Sequence, residues 1–122
     1  MSGVEGERLK EVGSDSIISA FKVKGVGSWE LDVPHTVYPP REDTDLLAGA
    51  LLGLTRHGGL ATEIGCGSGA ISLLLATLGW EVEACDINPF AVAATMGNSS
   101  RAGLSNLINV SEGGPGEDGW SI

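Results

Sequence analysis

The sequence predicts an α/β fold built on a parallel sheet, and three observations carry that prediction. Short apolar strand patterns recur at residues 60–64, 81–86 and 106–110. Helical patterns fill the two gaps between them, at residues 70–78 and 90–101. The first strand pattern runs into Gly65-Cys66-Gly67-Ser68-Gly69, a turn with three glycines, just before the first of those helices. Strand–helix–strand–helix–strand order implies parallel pairing through right-handed crossovers.

Each element has its own local reason. Residues 1–16 are polar and acidic and read as a flexible N-terminus rather than a secretory leader. Residues 17–23 and 28–33 alternate around Lys24-Gly25-Val26-Gly27, which predicts a β-hairpin ended by Pro34. Pro39 and Pro40 hold the chain extended and then release a helix. Asp43, Thr44 and Asp45 suit its first turn by capping and charge. Leu46, Leu47, Ala50, Leu51 and Leu54 repeat at helical spacing until Gly58-Gly59 stops the helix. Asn88 and Pro89 form a helix start, and the helix after them is expected to keep Val92, Ala93 and Met96 on one face. From Ser111 onward the chain is rich in glycine and acid. The whole reads as a Rossmann-like α/β fold with an N-terminal β-hairpin followed by a βαβαβ parallel sheet.

Composition narrows the function. The 122 residues suit one domain, and the net charge of −9 comes without a basic cluster, which argues against a protein gripping nucleic-acid backbones. No apolar run reaches membrane-spanning length. Two cysteines and two histidines are too few and too scattered for a structural zinc site, so no metal is expected. Cys66 and Cys85 read as small buried residues in a reduced, cytoplasmic setting.

The glycine turn points to a nucleotide-type ligand. Glycines let the backbone approach closely, and the helix N-terminus behind them offers free N–H groups. Glycine turns also occur for packing alone, so the neighbours matter. Asp86 lies twenty-one positions after Gly65, which puts a carboxylate at the second strand's tip beside the turn. A carboxylate there can accept hydrogen bonds from a ribose diol, as in sites for NAD and for S-adenosylmethionine. Glu63 separates the two. It would repel a pyrophosphate but attract the ammonium and sulfonium of S-adenosylmethionine, so this cofactor is favoured over NAD.

At this point the residues resemble a known family. Val37-Tyr38-Pro39-Pro40-Arg41-Glu42-Asp43-Thr44, Glu63-Ile64-Gly65-Cys66-Gly67-Ser68-Gly69 and Asp86-Ile87-Asn88-Pro89 resemble class I S-adenosylmethionine-dependent methyltransferases. More narrowly, they are similar to HemK/PrmC-related glutamine methyltransferases, including short archaeal and eukaryotic forms. The resemblance covers about residues 37–112. It implies that residues 17–122 form the S-adenosylmethionine-binding domain. Thr44 is then expected near the methionine end of the cofactor, and Glu63 and Gly65 along its methionine and ribose. Cys66, Gly67 and Gly69 belong to the binding turn. Asp86 is expected on the ribose hydroxyls, Ile87 against adenine, and Glu112, after the third strand, near the adenine amino group. No catalytic residue is assigned. The implied acceptor is a glutamine nitrogen in a translation release factor, and the implied partner is a small zinc-binding activator subunit. Adenine methylation in nucleic acid, an NAD-dependent oxidoreductase and a non-catalytic interaction domain remain the alternatives. The family's Asn-Pro-Pro-Tyr segment, which holds the acceptor amide, is absent. The sequence ends before the expected fourth strand, so an incomplete sheet is expected.

Overall fold

The computed structural model describes residues 11–12 and 16–116. The rest of the expected flexible N-terminus, residues 1–10 and 13–15, and the acidic end at 117–122 lie outside the described residues.

Alternation drives the N-terminal part. Strands β1 (Glu11–Val12), β2 (Ser16–Val23) and β3 (Gly27–Pro34) form an antiparallel sheet in that order. β1 lies within the stretch for which the sequence predicts a flexible terminus. The β2–β3 register pairs Phe21 with Trp29, whose rings stack at 5.7 Å. Phe21, Leu31 and Val33 point inward and are fully buried.

The prolines then lead into helix α1 (Glu42–Leu52), where the Arg41 N–H donates to Thr44 Oγ1 at 3.3 Å. The leucine pattern does not become a buried face. Ala48 is the buried residue of α1, while Leu46 is 76% exposed. The helix meets helix α2 through part of its surface, and Leu47 and Leu52 stay exposed as well.

Strands β4 (Gly59–Ile64), β5 (Trp80–Asp86) and β6 (Ile108–Glu112) form a parallel sheet in the order β4-β5-β6. Helices α2 (Ala70–Thr77) and α3 (Pro89–Arg101) are its crossovers. This is the Rossmann-like α/β arrangement that the element order predicts. α2 is buried from Ala70 to Ala76, as befits a helix apolar on all sides. Asn88 caps α3 by accepting from the Phe90 N–H at 2.9 Å.

Three expectations need correction. Helix α1 ends at Leu52, capped by Gly53, rather than running past Leu54 to Gly58-Gly59. The buried face of α3 is Ala91, Ala94, Thr95, Asn98 and Ser99, while Met96 is 55% exposed. Small and polar side chains, not the larger apolar ones, face the core because α3 packs tightly on the glycine turn and β3. The third strand begins at Ile108 rather than Asn106 and continues to Glu112, which pairs with Asp86. Residues 104–107 form a turn closed by Leu107 N–H to Leu104 O at 2.9 Å. No helix is long and apolar enough to cross a membrane among the described residues.

Candidate functional site

The C-terminal ends of β4 and β5 lie side by side, and the glycine turn crosses them. The Gly65 and Cys66 amides both donate to Cys85 O, at 2.8 and 3.0 Å, so the turn folds back over β5. Gly69 N–H closes it onto Cys66 O at 2.9 Å. Gly65 has φ +81°, a conformation that side chains rarely adopt, and a Cβ built there meets nothing within 4 Å. The backbone at Gly65 therefore stands bare beside open space.

That space is a cleft of about 620 Å³. The glycine turn forms its floor, the 36–41 segment and the start of α1 form its roof, and Asp86 closes one end. Thr44, Glu63, Gly65, Cys66, Gly67 and Asp86 line it together. Asp86 is held by two amides: Gly67 N–H donates to Oδ2 at 3.0 Å and Asn88 N–H to Oδ1 at 2.9 Å. Each oxygen keeps a further lone pair for a ligand. Glu63 accepts from the Ser72 hydroxyl at 2.5 Å. Burial pushes its carboxyl up to about 7, against the hydrogen bonds from Ser72 and helped by the nearby Asp86 charge. Cys66 is a buried free thiol, raised to about 11 chiefly by burial, which makes it inert as a nucleophile. Tyr38 and Arg41 sit at the rim, the guanidinium 5.5 Å from the ring centroid.

An α/β chain with acidic strand ends around a glycine turn has counterparts of known type. No family model matches the chain. It is 42% identical over 45 residues to the ribosomal protein L11 methyltransferase of Campylobacter fetus subsp. fetus, covering 37% of this chain and 16% of that protein. It is 40% identical over 50 residues to the ribosomal RNA small subunit methyltransferase C of Alcanivorax borkumensis, covering 41% of this chain and 15% of that protein. Its structure is similar to ribosomal protein L11 methylase from Lactobacillus delbrueckii subsp. bulgaricus, with a TM-score of 0.53 and 21% identity over 66% of this chain and 42% of that one. The fold is that of the class I methyltransferases. The chain spans less than a fifth of the length of these two curated relatives.

In this methyltransferase fold the remaining expected residues fall outside the cleft lining. Gly69 turns toward α3: a Cβ there would lie 3.0 Å from Thr95 Oγ1 and 3.2 Å from Thr95 Cα. Ile87 follows Asp86 and is 75% exposed. Glu112 ends β6 opposite Asp86 and is exposed. Ser72, Thr95 and Asn98 were not singled out from sequence, and Asn88 was singled out only as a helix start, yet all bond to site residues or to segments that frame the cleft. Their signal is faint: a serine inside the apolar helix α2, and three polar residues along α3 and its cap.

Proposed function

We propose that the cleft binds S-adenosylmethionine and that the protein to which this chain belongs transfers its methyl group to a nitrogen in the translation apparatus. The observation that carries the reading is the pairing of two carboxylates, Glu63 and Asp86, on one glycine-floored cleft. When bound, S-adenosylmethionine supplies an electrophilic methyl group on a sulfonium.

The chain's residues fit this cofactor by charge and by shape. Asp86 suits a ribose diol, and Glu63 suits a ligand bearing an ammonium and a sulfonium and would repel the pyrophosphate of NAD. The open space at Gly65 leaves room for a close approach. On this reading Thr44 and Glu63 hold the methionine end, and Gly65 and Gly67 flank the ribose. Asp86 accepts from the ribose hydroxyls. Ile87 offers an apolar face to adenine, with Glu112 near the adenine amino group. Cys66 and Gly69 shape the turn. Transfer is direct, so the protein's main task is orientation of the acceptor.

For the acceptor we favour a glutamine side chain of a release factor, as in the HemK/PrmC-related enzymes that the Tyr38-to-Thr44 segment resembles. A small zinc-binding activator subunit and a cytoplasmic setting belong to the same reading. The names of the curated relatives, one acting on a ribosomal protein and one on ribosomal RNA, support the translation apparatus more broadly. The second of them also favours RNA as a rival acceptor, against which the net charge of −9 weighs.

Calorimetric titration with S-adenosylhomocysteine and with NADH tests the cofactor. Binding of the first alone is expected, and binding of NADH alone overturns the reading. Labelled methyl transfer to release factor and to ribosomal RNA then tests the acceptor. Label on RNA and none on protein would remove the glutamine assignment.

A further inference from the structure

The buried polar face of α3 has no explanation in the hydrophobic core. Thr95 and Asn98 are 0% and 2% exposed, and lie three residues apart on one side of the helix. Thr95 Oγ1 donates to Gly67 O at 3.0 Å, and Asn98 Nδ2 donates to Ser68 O at 2.8 Å. Two successive carbonyls of the glycine turn are therefore fastened to one helix.

This pairing decides where the turn's amides point. In a trans peptide the C=O and the following N–H lie in one plane and point in opposite directions. Holding Gly67 O against α3 turns the Ser68 N–H away from α3. The amides of Gly65, Cys66, Gly67 and Gly69 are spent on Cys85 O, Asp86 Oδ2 and Cys66 O. The Ser68 amide is the one the α3 contacts aim away from the helix, and Ser68 lines the cleft.

Asn98 does more. Its Oδ1 accepts from Asp32 N–H at 2.9 Å, and its Nδ2 also donates to Asp32 O at 3.2 Å. One side chain thus grips the backbone of β3 and the floor of the cleft. Asn88, at the start of the same helix, donates to Thr36 O at 3.2 Å and so holds the segment that begins the roof.

We propose that Thr95 and Asn98 are positioning residues for cofactor binding: they orient the glycine turn, and Asn98 locks it to the hairpin. The assignment rests on the methyltransferase reading above. Neither side chain lines the cleft, so the effect must pass through backbone orientation.

The test is S-adenosylhomocysteine affinity by calorimetry, with melting temperature measured alongside. Thr95→Val keeps the shape and removes the donor, Asn98→Ala removes the lock, and Thr95→Ser restores the hydroxyl. Ile108→Ala, in the core of β6 and away from the cleft lining, supplies a loss of stability without a change at the turn. Expected are losses of about tenfold in affinity for Thr95→Val and for Asn98→Ala, and near wild-type affinity for Thr95→Ser and Ile108→Ala. If Asn98→Ala does not fold, Thr95→Val decides. Wild-type affinity in a folded Thr95→Val protein overturns the proposal, as does a loss in Ile108→Ala that tracks its melting temperature. A wild-type chain that fails to bind S-adenosylhomocysteine overturns the methyltransferase reading itself, and this assignment with it.

Discussion

If Glu63 holds the cofactor as proposed, it sets opposite demands on stability and binding. Its carboxyl titrates near 7 in the folded chain, above the reference value of 4.5. The folded state therefore holds this proton more tightly than the unfolded one. The resulting stability is full below pH 4.5 and is lost as pH rises through about 7. The loss is at most about 3 kcal/mol, and less because the residue is only half-buried. Glu63→Gln keeps the partner for Ser72 and removes the titration. It should melt above wild type near pH 8 and match it near pH 4, which thermal scans at the two pH values check. Affinity runs the other way. Wild type should bind S-adenosylhomocysteine more tightly as pH rises through 7, and the variant should bind weakly at every pH. A rising profile in the variant would point to another group. On the proposed function Asp86 has a related double role. Its place at a strand tip beside the glycine turn was legible from its spacing after Gly65, but its grip on the Gly67 and Asn88 amides was not. Spacing locates a strand tip; it does not reveal which backbone donors will converge there. Asp86→Ala should thus cost about 2 kcal/mol of stability as well as affinity, measured by denaturant unfolding and calorimetry. Unchanged stability would show that the two amides find other partners.

At the scale of elements, the sequence revealed the strands and crossovers but misjudged which helix faces are buried. Hydrophobic periodicity assumes that apolar side chains mark the inside. In α3 the inside is chosen by close approach and hydrogen bonding, so Ala91, Ala94, Thr95, Asn98 and Ser99 go in and Met96 stays out. Ser99 even satisfies itself, donating to Thr95 O at 2.6 Å. In α1 the leucine pattern is a helix signal only as far as Leu52, because Gly53 caps the helix and Leu54 lies beyond it, and it predicts a burial that the described residues do not supply. The glycine turn divides in the same way. Gly65 and Gly69 both have positive φ, so an alanine at either meets a comparable backbone cost of about 1 kcal/mol. Beyond that they differ. At Gly65 the new methyl enters open space at the cleft floor; at Gly69 it collides with Thr95, including its Cα. Gly65→Ala should lose more affinity than stability. Gly69→Ala should lose more stability, by roughly 2–3 kcal/mol. Melting temperatures and S-adenosylhomocysteine titrations on both variants separate the cases, and identical behaviour would mean that the turn acts as one unit.

At the scale of the whole molecule, the parallel sheet carries its crossover helices α2 and α3 on one face and an unlike face opposite. Leu60, Thr62 and Ile64 of β4 share that second face, and Leu60 and Ile64 are 66% and 61% exposed. On β5 the same face carries Glu81 and Glu83, the latter accepting from Asn109 Nδ2 at 3.1 Å. Parallel sheets ordinarily have both faces covered. Among the described strands, β4 is also paired on one side only. An unpaired edge beside exposed aliphatic side chains favours pairing with another strand. The simplest closed arrangement is a two-fold contact, which brings the two β4 edges together antiparallel. Its strength can be bounded. Covering Leu60 and Ile64 on each chain contributes roughly 2 kcal/mol per side chain, about 8 kcal/mol in all. Lost rigid-body freedom opposes this with about 4 kcal/mol or more. The net charge of −9 on each chain opposes it further. Association should therefore be weak, visible only at high protein concentration, and strengthened by salt that screens the repulsion. Sedimentation velocity across a concentration series, at low and high salt, reads this directly. The sedimentation coefficient should rise with concentration, more steeply at high salt, and Leu60→Lys with Ile64→Lys should flatten the rise. A wild-type chain that stays monomeric throughout would show that the charge of the chain outweighs its apolar edge.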